Sequence, residues 1–431
     1  MTGDRMIRMT ATLALTLALG CSSTPTQPVT RDAGGSGGSG GGGGAGGRAG
    51  SGGGGSGGGG TGGAADAGGS AGRDGGAADT ATPGDAPSAD TGSAGPDGPM
   101  GPPGVAALKP ACEAKGSGAQ DQDDMTFWIH PTDGPNKSTL VSSDKRSGNI
   151  FVYDNTCKVL QTLKAPGLPG NIDSRYNFAL GGDKVDIIGW NDRTNDRVRV
   201  AKVDPATRTI SLIDDGNIAT LTPNYGFGLY VSKSSKKVYA FTSEDGGKRM
   251  EQHEIVDDGS GKVKGMKVRM WTAMAKTQVE GIVCDDENAV CFYGDEGGGV
   301  WKIGAEPGDP APGTHIAKVG ENGLTADAEG LTIYHLPGGG GYLIVSSQGN
   351  NTYKVYDRKA PHGFLGTITV QGAQGTDGID VTNADFGGMY TKGAFVVHGG
   401  SSNAPSNYLV PWADVAGPLK LAIDTSWDPR Q

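Results

Sequence analysis

A pattern of short apolar strands recurs six times between Phe127 and the C-terminus of this 431-residue chain. Gly, Asp, Asn and Pro punctuate the joints between strands, as hairpin turns require. An even period near fifty residues is typical of the blades of a β-propeller, whereas a β-sandwich, the alternative, predicts no such period. We therefore predict an all-β fold, a six-bladed β-propeller with four antiparallel strands in each blade. The copies begin near Phe127, Phe178, Phe227, Gly281, Gly330 and Gly378, which are 51, 49, 54, 49 and 48 residues apart.

The first residues of the chain are typical of an export signal. Arg5 and Arg8 precede an apolar run, Met9–Gly20, that is too short to cross a bilayer. The run ends at Cys21 in a sequence that resembles the bacterial lipobox, whose cysteine is lipidated after cleavage. We expect residues 1–21 to be a signal peptide and the protein to be an outer-membrane lipoprotein, periplasmic or at the cell surface. A plain secretory signal, and therefore a secreted protein, is the alternative.

The next segment predicts a tether. Residues 22–106 consist mostly of Gly, Ser, Ala, Asp and Pro, with almost no large apolar side chain. Such a sequence cannot bury enough surface to offset its ordering entropy. We expect a disordered, Gly-rich tether over residues 22–106, followed by the propeller domain over residues 107–431.

Four cysteines lie in the predicted propeller domain and allow three pairings. Cys284 and Cys291 flank a short turn between neighbouring strands, so a disulfide across that hairpin is plausible. A bond from Cys112 to Cys157 would then connect the N-terminal lead to the first blade. A zinc site is the competing interpretation, but no CxxC pair or nearby pair of histidines favours it.

Propeller topology predicts which side chains meet. The loop that leads into each first strand and the loop that joins the second strand to the third lie at the same end of a blade. These loops should therefore surround one mouth of the central channel. They carry these candidate metal ligands: Asp123, Asp124, Glu280, Asp295, Glu296, Asp327, Glu329, Asp377 and Asp380, the last of which lies just inside the first strand of the sixth copy. The candidate phosphate-binding residues among them are Lys145, Arg146, Arg193 and Tyr225.

So many carboxylates around one space repel one another unless cations lie between them. Oxygen ligands from Asp and Glu suit calcium, and few histidines or cysteines are placed to favour zinc or copper. The formal net charge of −10 argues against a nucleic-acid partner. Several calcium ions would reverse the sign of the local field, so that an acidic protein could hold a phosphate-rich ligand.

These loops resemble a known family over most of the folded part, from about Asp121 to Trp412. The family is the β-propeller (alkaline) phytases, six-bladed calcium enzymes that remove phosphates from inositol hexakisphosphate. Several motifs carry the resemblance in this order: Asp121-Gln122-Asp123-Asp124, Lys145-Arg146-Ser147-Gly148, Asp173-Ser174-Arg175-Tyr176-Asn177-Phe178, Tyr225-Gly226-Phe227, Glu280-Gly281, Asp327-Ala328-Glu329-Gly330, Ser346-Ser347-Gln348-Gly349-Asn350 and Thr376-Asp377-Gly378-Ile379-Asp380.

The resemblance implies a calcium-dependent phytase of the 3-phytase type. It assigns Asp124, Glu280, Glu296, Glu329 and Asp377 to the calcium and water cluster at the cleavage site. Lys145, Arg193 and Tyr225 would hold phosphate oxygens. In such enzymes a calcium-bound water attacks phosphorus directly, a neighbouring phosphate lies in an adjacent affinity site, and no covalent phosphoenzyme forms.

Two loops depart from the family pattern. Ser243–Arg249 replaces a Lys-Glu-Gly type loop, so Lys248 or Arg249 would have to supply its cation. Val396–Gly400 lacks an aspartate that relatives often carry there. Two other functions therefore stay open: a non-catalytic, calcium-loaded binding module on a lipid tether, and a propeller hydrolase that acts on another phosphoester. The sequence leaves the oligomeric state open.

Overall fold

The computed structural model describes residues 104–400 and 405–431, which form an almost entirely β fold. Of the strands among these residues, all but β1 (Gly104–Leu108) belong to antiparallel sets of four. The predicted signal peptide and residues 22–103 of the predicted tether lie outside the described part. No helix among the described residues is both long enough and apolar enough to cross a membrane.

The first three sets follow one another in chain order. Set one is β3 Gln122–Trp128, β4 Thr139–Asp144, β5 Asn149–Tyr153 and β6 Val159–Lys164. Set two is β7 Pro169–Leu180, β8 Asp183–Asp192, β9 Arg197–Asp204 and β10 Thr209–Leu212. Set three is β11 Asn224–Val231, β12 Val238–Glu244, β13 Arg249–Asp257 and β14 Val263–Thr272.

The last three sets continue the same order. Set four is β15 Val279–Asp285, β16 Val290–Asp295, β17 Gly299–Gly304 and β18 Thr314–Lys318. Set five is β19 Ala328–Leu336, β20 Gly340–Ser347, β21 Thr352–Asp357 and β22 Phe364–Val370. Set six is β23 Ile379–Thr382, β24 Ala394–His398, β25 Asn407–Pro411 and β2 Cys112–Ala114. The helices are α1 Gly134–Lys137, α2 Trp412–Leu419 and a 3-10 turn, Gln348–Asn350.

The sets surround a common axis. Strands β3, β7, β11, β15, β19 and β23 contact one another in chain order, and β23 contacts β3 again. Each interface between neighbouring sets is filled by its own buried apolar cluster; Trp128 and Trp190, for example, pack between sets one and two. Radial packing of small sheets buries their faces and leaves little free edge. The predicted all-β, propeller-type fold is confirmed.

The N-terminal residues complete the ring. Strand β2 pairs antiparallel with β25 and supplies the outermost strand of set six. Strand β1 pairs parallel with β22, with Gly104 beside Gly366 and Leu108 beside Val370. Residues 104–106, at the end of the predicted tether, therefore pair with a sheet edge although their composition resembles the tether.

Both disulfides agree with the favoured pairing. Cys284 and Cys291 face each other across the β15–β16 hairpin, with Cα atoms 4.0 Å apart. Cys112 in β2 is bonded to Cys157, in the turn between β5 and β6 of set one. The second bond therefore joins the closing strand of set six to set one, and these four sulfurs are not ligands of a zinc ion.

The described loops lie as predicted at one end of the axis, which we call the mouth. Gln122 pairs with Asp144, Asn224 with Glu244 and Val279 with Asp295. These pairs place the start of each first strand beside the end of each second strand.

The C-terminal segment crosses the other end of the axis. Trp427 and Gln431 line the axial cavity together with residues of the first strands. The Arg430 guanidinium forms an ion pair with Asp186 and lies 4.5 Å above the ring of Tyr176. The segment therefore connects to set two at the end of the axis away from the mouth.

Candidate active site

An irregularity repeated in the first strands turns polar side chains into the mouth. In five of the sets the register between the first and second strands shifts near the start of the first strand. A shift of this kind leaves residues unpaired and redirects their side chains. The residues within the shifts are Asp123-Asp124, Gly170-Asn171, Tyr225-Gly226, Glu280-Gly281 and Glu329-Gly330.

Glycines in these shifts allow neighbouring strands to approach. A Cβ on Gly281 would lie 2.3 Å from the Glu329 carbonyl oxygen, and one on Gly330 would lie 2.6 Å from that of Asp377. Real Cβ atoms do not come so close to a backbone, so only glycine fits. The Glu-Gly pairs thereby bring carboxylates from successive first strands side by side.

Three carboxylates form the centre of the site. Oxygen atoms of Glu280, Glu296 and Glu329 all lie within 4.8 Å of one another, so the group could hold a metal ion. Glu280 and Glu329 are buried, whereas Glu296, in the loop after β16, is half-buried. Glu329 Oε2 is buried and has no hydrogen-bond partner among the described residues. Buried oxygens without a partner are rare, and a cation would satisfy this one.

The electrostatics of the three carboxylates support the same reading. Burial raises the pKa of Glu280, and burial together with the charge of Glu280 raises the pKa of Glu329 well above its ordinary value. Burial is also the main cause that raises the pKa of Glu296 to about 7. The three pKa values are raised because the carboxylate charges lie together in a desolvated space, and a bound cation would offset that repulsion.

Two cationic side chains lie beside the three carboxylates. Lys145 Nζ is 2.8 Å from Asp123 Oδ1 and 3.0 Å from Asp377 Oδ2. Burial alone would lower the pKa of Lys145, but these two carboxylates hold it well above its ordinary value. The Arg193 guanidinium lies 4.2 Å above the ring of Tyr225, and its Nη1 is 4.0 Å from Glu280 Oε1.

The remaining predicted cations lie further out. Arg146 Nε forms an ion pair with Asp121 Oδ2 at 3.1 Å and is half-exposed at the mouth. Lys248 is exposed, and its neighbour Arg249 forms an ion pair with Glu244. Asp327 is half-buried, and burial followed by the charge of Asp377 raises its pKa.

Three predicted metal ligands also accept hydrogen bonds that hold the fold. Asp124 Oδ2 accepts the Ile172 N–H of set two at 3.1 Å. Asp380 accepts the Phe127 N–H of set one at 2.9 Å and the Thr332 hydroxyl of set five at 2.8 Å. The structure does not bring these two carboxylates into the group of three.

Asp295 is the third of these ligands. It accepts the backbone N–H groups of Lys276 and Thr277 at 2.6 and 2.9 Å. These bonds fix the loop that leads into β15, so the side chain orders the approach to Glu280 instead of joining the group of three.

Sequence reasoning missed two residues that contact the site. His398 is fully buried, and its Nδ1 accepts the backbone N–H of Asp377 at 3.2 Å. Gln278 donates from Nε2 to Glu296 Oε1 at 2.6 Å. His398 is the last residue of the second strand of set six, and this position could have indicated that its side chain lies at the mouth. Gln278 lies two residues before Glu280, and its polar side chain gave no distinct signal.

The chain is similar to several known proteins. The chain is 37% identical over 297 residues to the 3-phytase of Bacillus subtilis (strain 168), covering 66% of this chain and 76% of the relative. Solved structures with a similar course include a regucalcin from Agrobacterium tumefaciens (10% identity, 75% of this chain, 98% of that one, TM-score 0.47). The Myceliophteria thermophila Cps50 (Swd1) beta-propeller domain is also similar (8% identity, 63% of this chain, 80% of that one, TM-score 0.38). The family described as Phytase matches residues 106–430. The chain therefore belongs to the Phytase family and is a phytase, a phosphomonoester hydrolase.

Proposed function

We propose that this phytase depends on calcium and acts on myo-inositol hexakisphosphate as a 3-phytase. The proposal rests on the group Glu280, Glu296 and Glu329, whose oxygens lie within 4.8 Å of one another at the mouth. An all-oxygen ligand set suits calcium, which accepts several carboxylates in a flexible geometry. The Bacillus subtilis relative is a 3-phytase, which supports the choice of substrate.

The residues of the mouth support direct attack of water on phosphorus. Bound calcium would neutralise charge on the phosphoryl oxygens and make a nearby water more acidic. Glu296 is only half-buried and so can be reached by a substrate, and a fixed carboxylate at this position could take the proton from water. No nucleophilic side chain is required.

The cations beside the group support phosphate binding. Lys145 and Arg193 place positive charge on the side of the mouth that faces Asp123 and Glu280. Arg193 is fixed by stacking on Tyr225, so its guanidinium can hold phosphate oxygens without much loss of rotamer freedom.

Export is also part of the proposal. Disulfides persist in oxidising compartments and are rare in the bacterial cytosol, and both pairs here are formed. We propose that the chain is exported and that lipid on Cys21 anchors it to the outer membrane. Labelling with a radioactive fatty acid, with Cys21→Ser as control, tests the anchor; equal labelling of both proteins would contradict it.

The test of the proposed function is phosphate release from inositol hexakisphosphate by the full chain. We expect release with calcium, none after chelation, and recovery on adding calcium back. Glu296→Gln should abolish release, whereas the matched change Glu306→Gln should not. Glu306 lies after β17, at the opposite end of set four, and accepts hydrogen bonds from Tyr230 and Ser232. Release that persists without divalent ions would contradict calcium dependence. Phosphorus NMR of the first product tests whether the 3-phosphate leaves first.

A further inference from the structure

Gln278 connects the group of three carboxylates to the altered loop of set three. Its Nε2 donates to Glu296 Oε1 at 2.6 Å, and its Oε1 accepts the Gly246 backbone N–H at 2.9 Å. The Glu296 backbone N–H also donates to the Gln278 carbonyl at 3.3 Å. Gln278 therefore contacts Glu296 at both its backbone and its side chain.

The orientation of the amide is fixed from both ends. A backbone N–H can only donate, and an ionised carboxylate can only accept. Rotating the amide by half a turn would place donor against donor at Gly246 and acceptor against acceptor at Glu296. Gln278 thus holds Glu296 Oε1 in one orientation, and the Tyr225 side chain also hydrogen-bonds to this carboxylate.

The loop held by Gln278 contributes charge to the phosphate side of the mouth. Gly246 lies in the turn between Glu244 and Arg249, which form an ion pair with each other. The preceding residue, Asp245, is among the carboxylates whose charges raise the pKa of Arg193. A shift of this turn would therefore move the hydrogen bond between Gly246 and Gln278, and through Gln278 the bond to Glu296.

We propose that Gln278 is a positioning residue that orients Glu296 toward the metal and couples it to the turn of set three. The inference rests on the proposed function, in which Glu296 is a metal ligand. Residues that orient metal ligands typically change metal affinity or activity by roughly 10–100-fold when they are replaced. Gln278 would accordingly act on kcat and on metal affinity more than on KM.

The experiment compares Gln278→Met with Gln161→Met in the full chain. Gln161 also bridges two sets with two hydrogen bonds, one to the Ile210 carbonyl at 3.0 Å and one from the Ile210 N–H at 2.8 Å. Gln161 lies on the outer strand β6, and Ile210 lies on the outer strand β10. The control therefore removes the same number of hydrogen bonds away from the Glu280, Glu296 and Glu329 group. Calorimetric calcium titration gives the metal affinity, and steady-state kinetics give kcat and KM.

We expect Gln278→Met to weaken calcium binding and to lower kcat by about tenfold or more, with KM within about twofold. Gln161→Met should leave all three unchanged, although both variants lose stability. Equal calcium affinity and kcat in Gln278→Met and wild type would overturn the inference. If the wild type turned over substrate without calcium, the proposed cofactor would be wrong instead. The role of Gln278 would then be decided by comparing kcat of Gln278→Met and wild type with the divalent ion that does support turnover.

Discussion

Replacing Glu296 by Gln should stabilise the metal-free protein at alkaline pH. The pKa of Glu296 is raised from 4.5 to about 7, so the folded protein binds this proton more tightly than the unfolded chain does. The folded state therefore loses stability as pH rises through this range. Gln carries no charge and can still accept the hydrogen bond from Gln278, so the variant avoids the loss.

The size of the effect follows from the shift. A rise from 4.5 to about 7 corresponds to roughly 3 kcal/mol in the free energy of unfolding. Solvent screens a half-buried carboxylate, so we expect about 1–2 kcal/mol at about pH 8 and a small fraction of that at about pH 5. Calcium should reverse the order, because a ligand that binds only the folded wild type stabilises it by mass action.

Urea unfolding of wild type, Glu296→Gln and the control Glu306→Gln measures these differences, with and without calcium. The decisive result is a reversal of the stability order: Glu296→Gln is more stable than wild type without calcium and less stable than wild type with it. If Glu296→Gln were no more stable than wild type at about pH 8 without calcium, burial would not be the cause of its raised pKa. If Glu306→Gln showed the same reversal, the effect would not be specific to a carboxylate at the mouth.

Three further results are expected. Replacing Cys112 and Cys157 by Ser should lower the free energy of unfolding, measured in urea, by about 4 kcal/mol, because the disulfide closes a loop with a sequence separation of 45. A loss under about 1 kcal/mol would contradict this prediction. Arg193→Met should raise KM for inositol hexakisphosphate about tenfold in steady-state assays. Lys248 is exposed, so Lys248→Met should change KM less than about twofold. Equal effects of the two variants would refute the idea that Arg193, and not Lys248, holds phosphate. Arg430→Met should cost about 3 kcal/mol in thermal unfolding because it leaves a nearly buried aspartate unpaired; an unchanged midpoint would argue against that role.

The sequence predicts the ring and its mouth well because both depend on local patterns. A period near fifty residues reflects strand and turn chemistry, and the Glu-Gly pairs report close approach of neighbouring strands at Gly281 and Gly330. The confirmed fold class follows from these patterns. The resemblance to the phytases, not a local pattern, singled out Glu280, Glu296 and Glu329 among the carboxylates of the mouth, and their oxygens lie within 4.8 Å of one another.

What the sequence could not predict depends on partners distant along the chain. Asp124 and Asp380 stay predicted ligands, but the sequence did not indicate that their oxygens also accept backbone N–H groups from neighbouring sets. Whether a carboxylate faces the mouth or a neighbouring strand is decided by packing, which no local pattern reports. The same holds for β2, whose partner β25 lies about three hundred residues further on.

The parallel pairing of β1 with β22 decides how this protein can be attached to something else. Because β22 runs toward the loop that carries Asp377, Gly104 lies at the far end of that strand from the mouth. A partner fused directly before Gly104 would thus be connected at the end of the axis opposite the mouth. Such a fusion would keep the point of attachment away from a bulky polyphosphate that approaches the mouth.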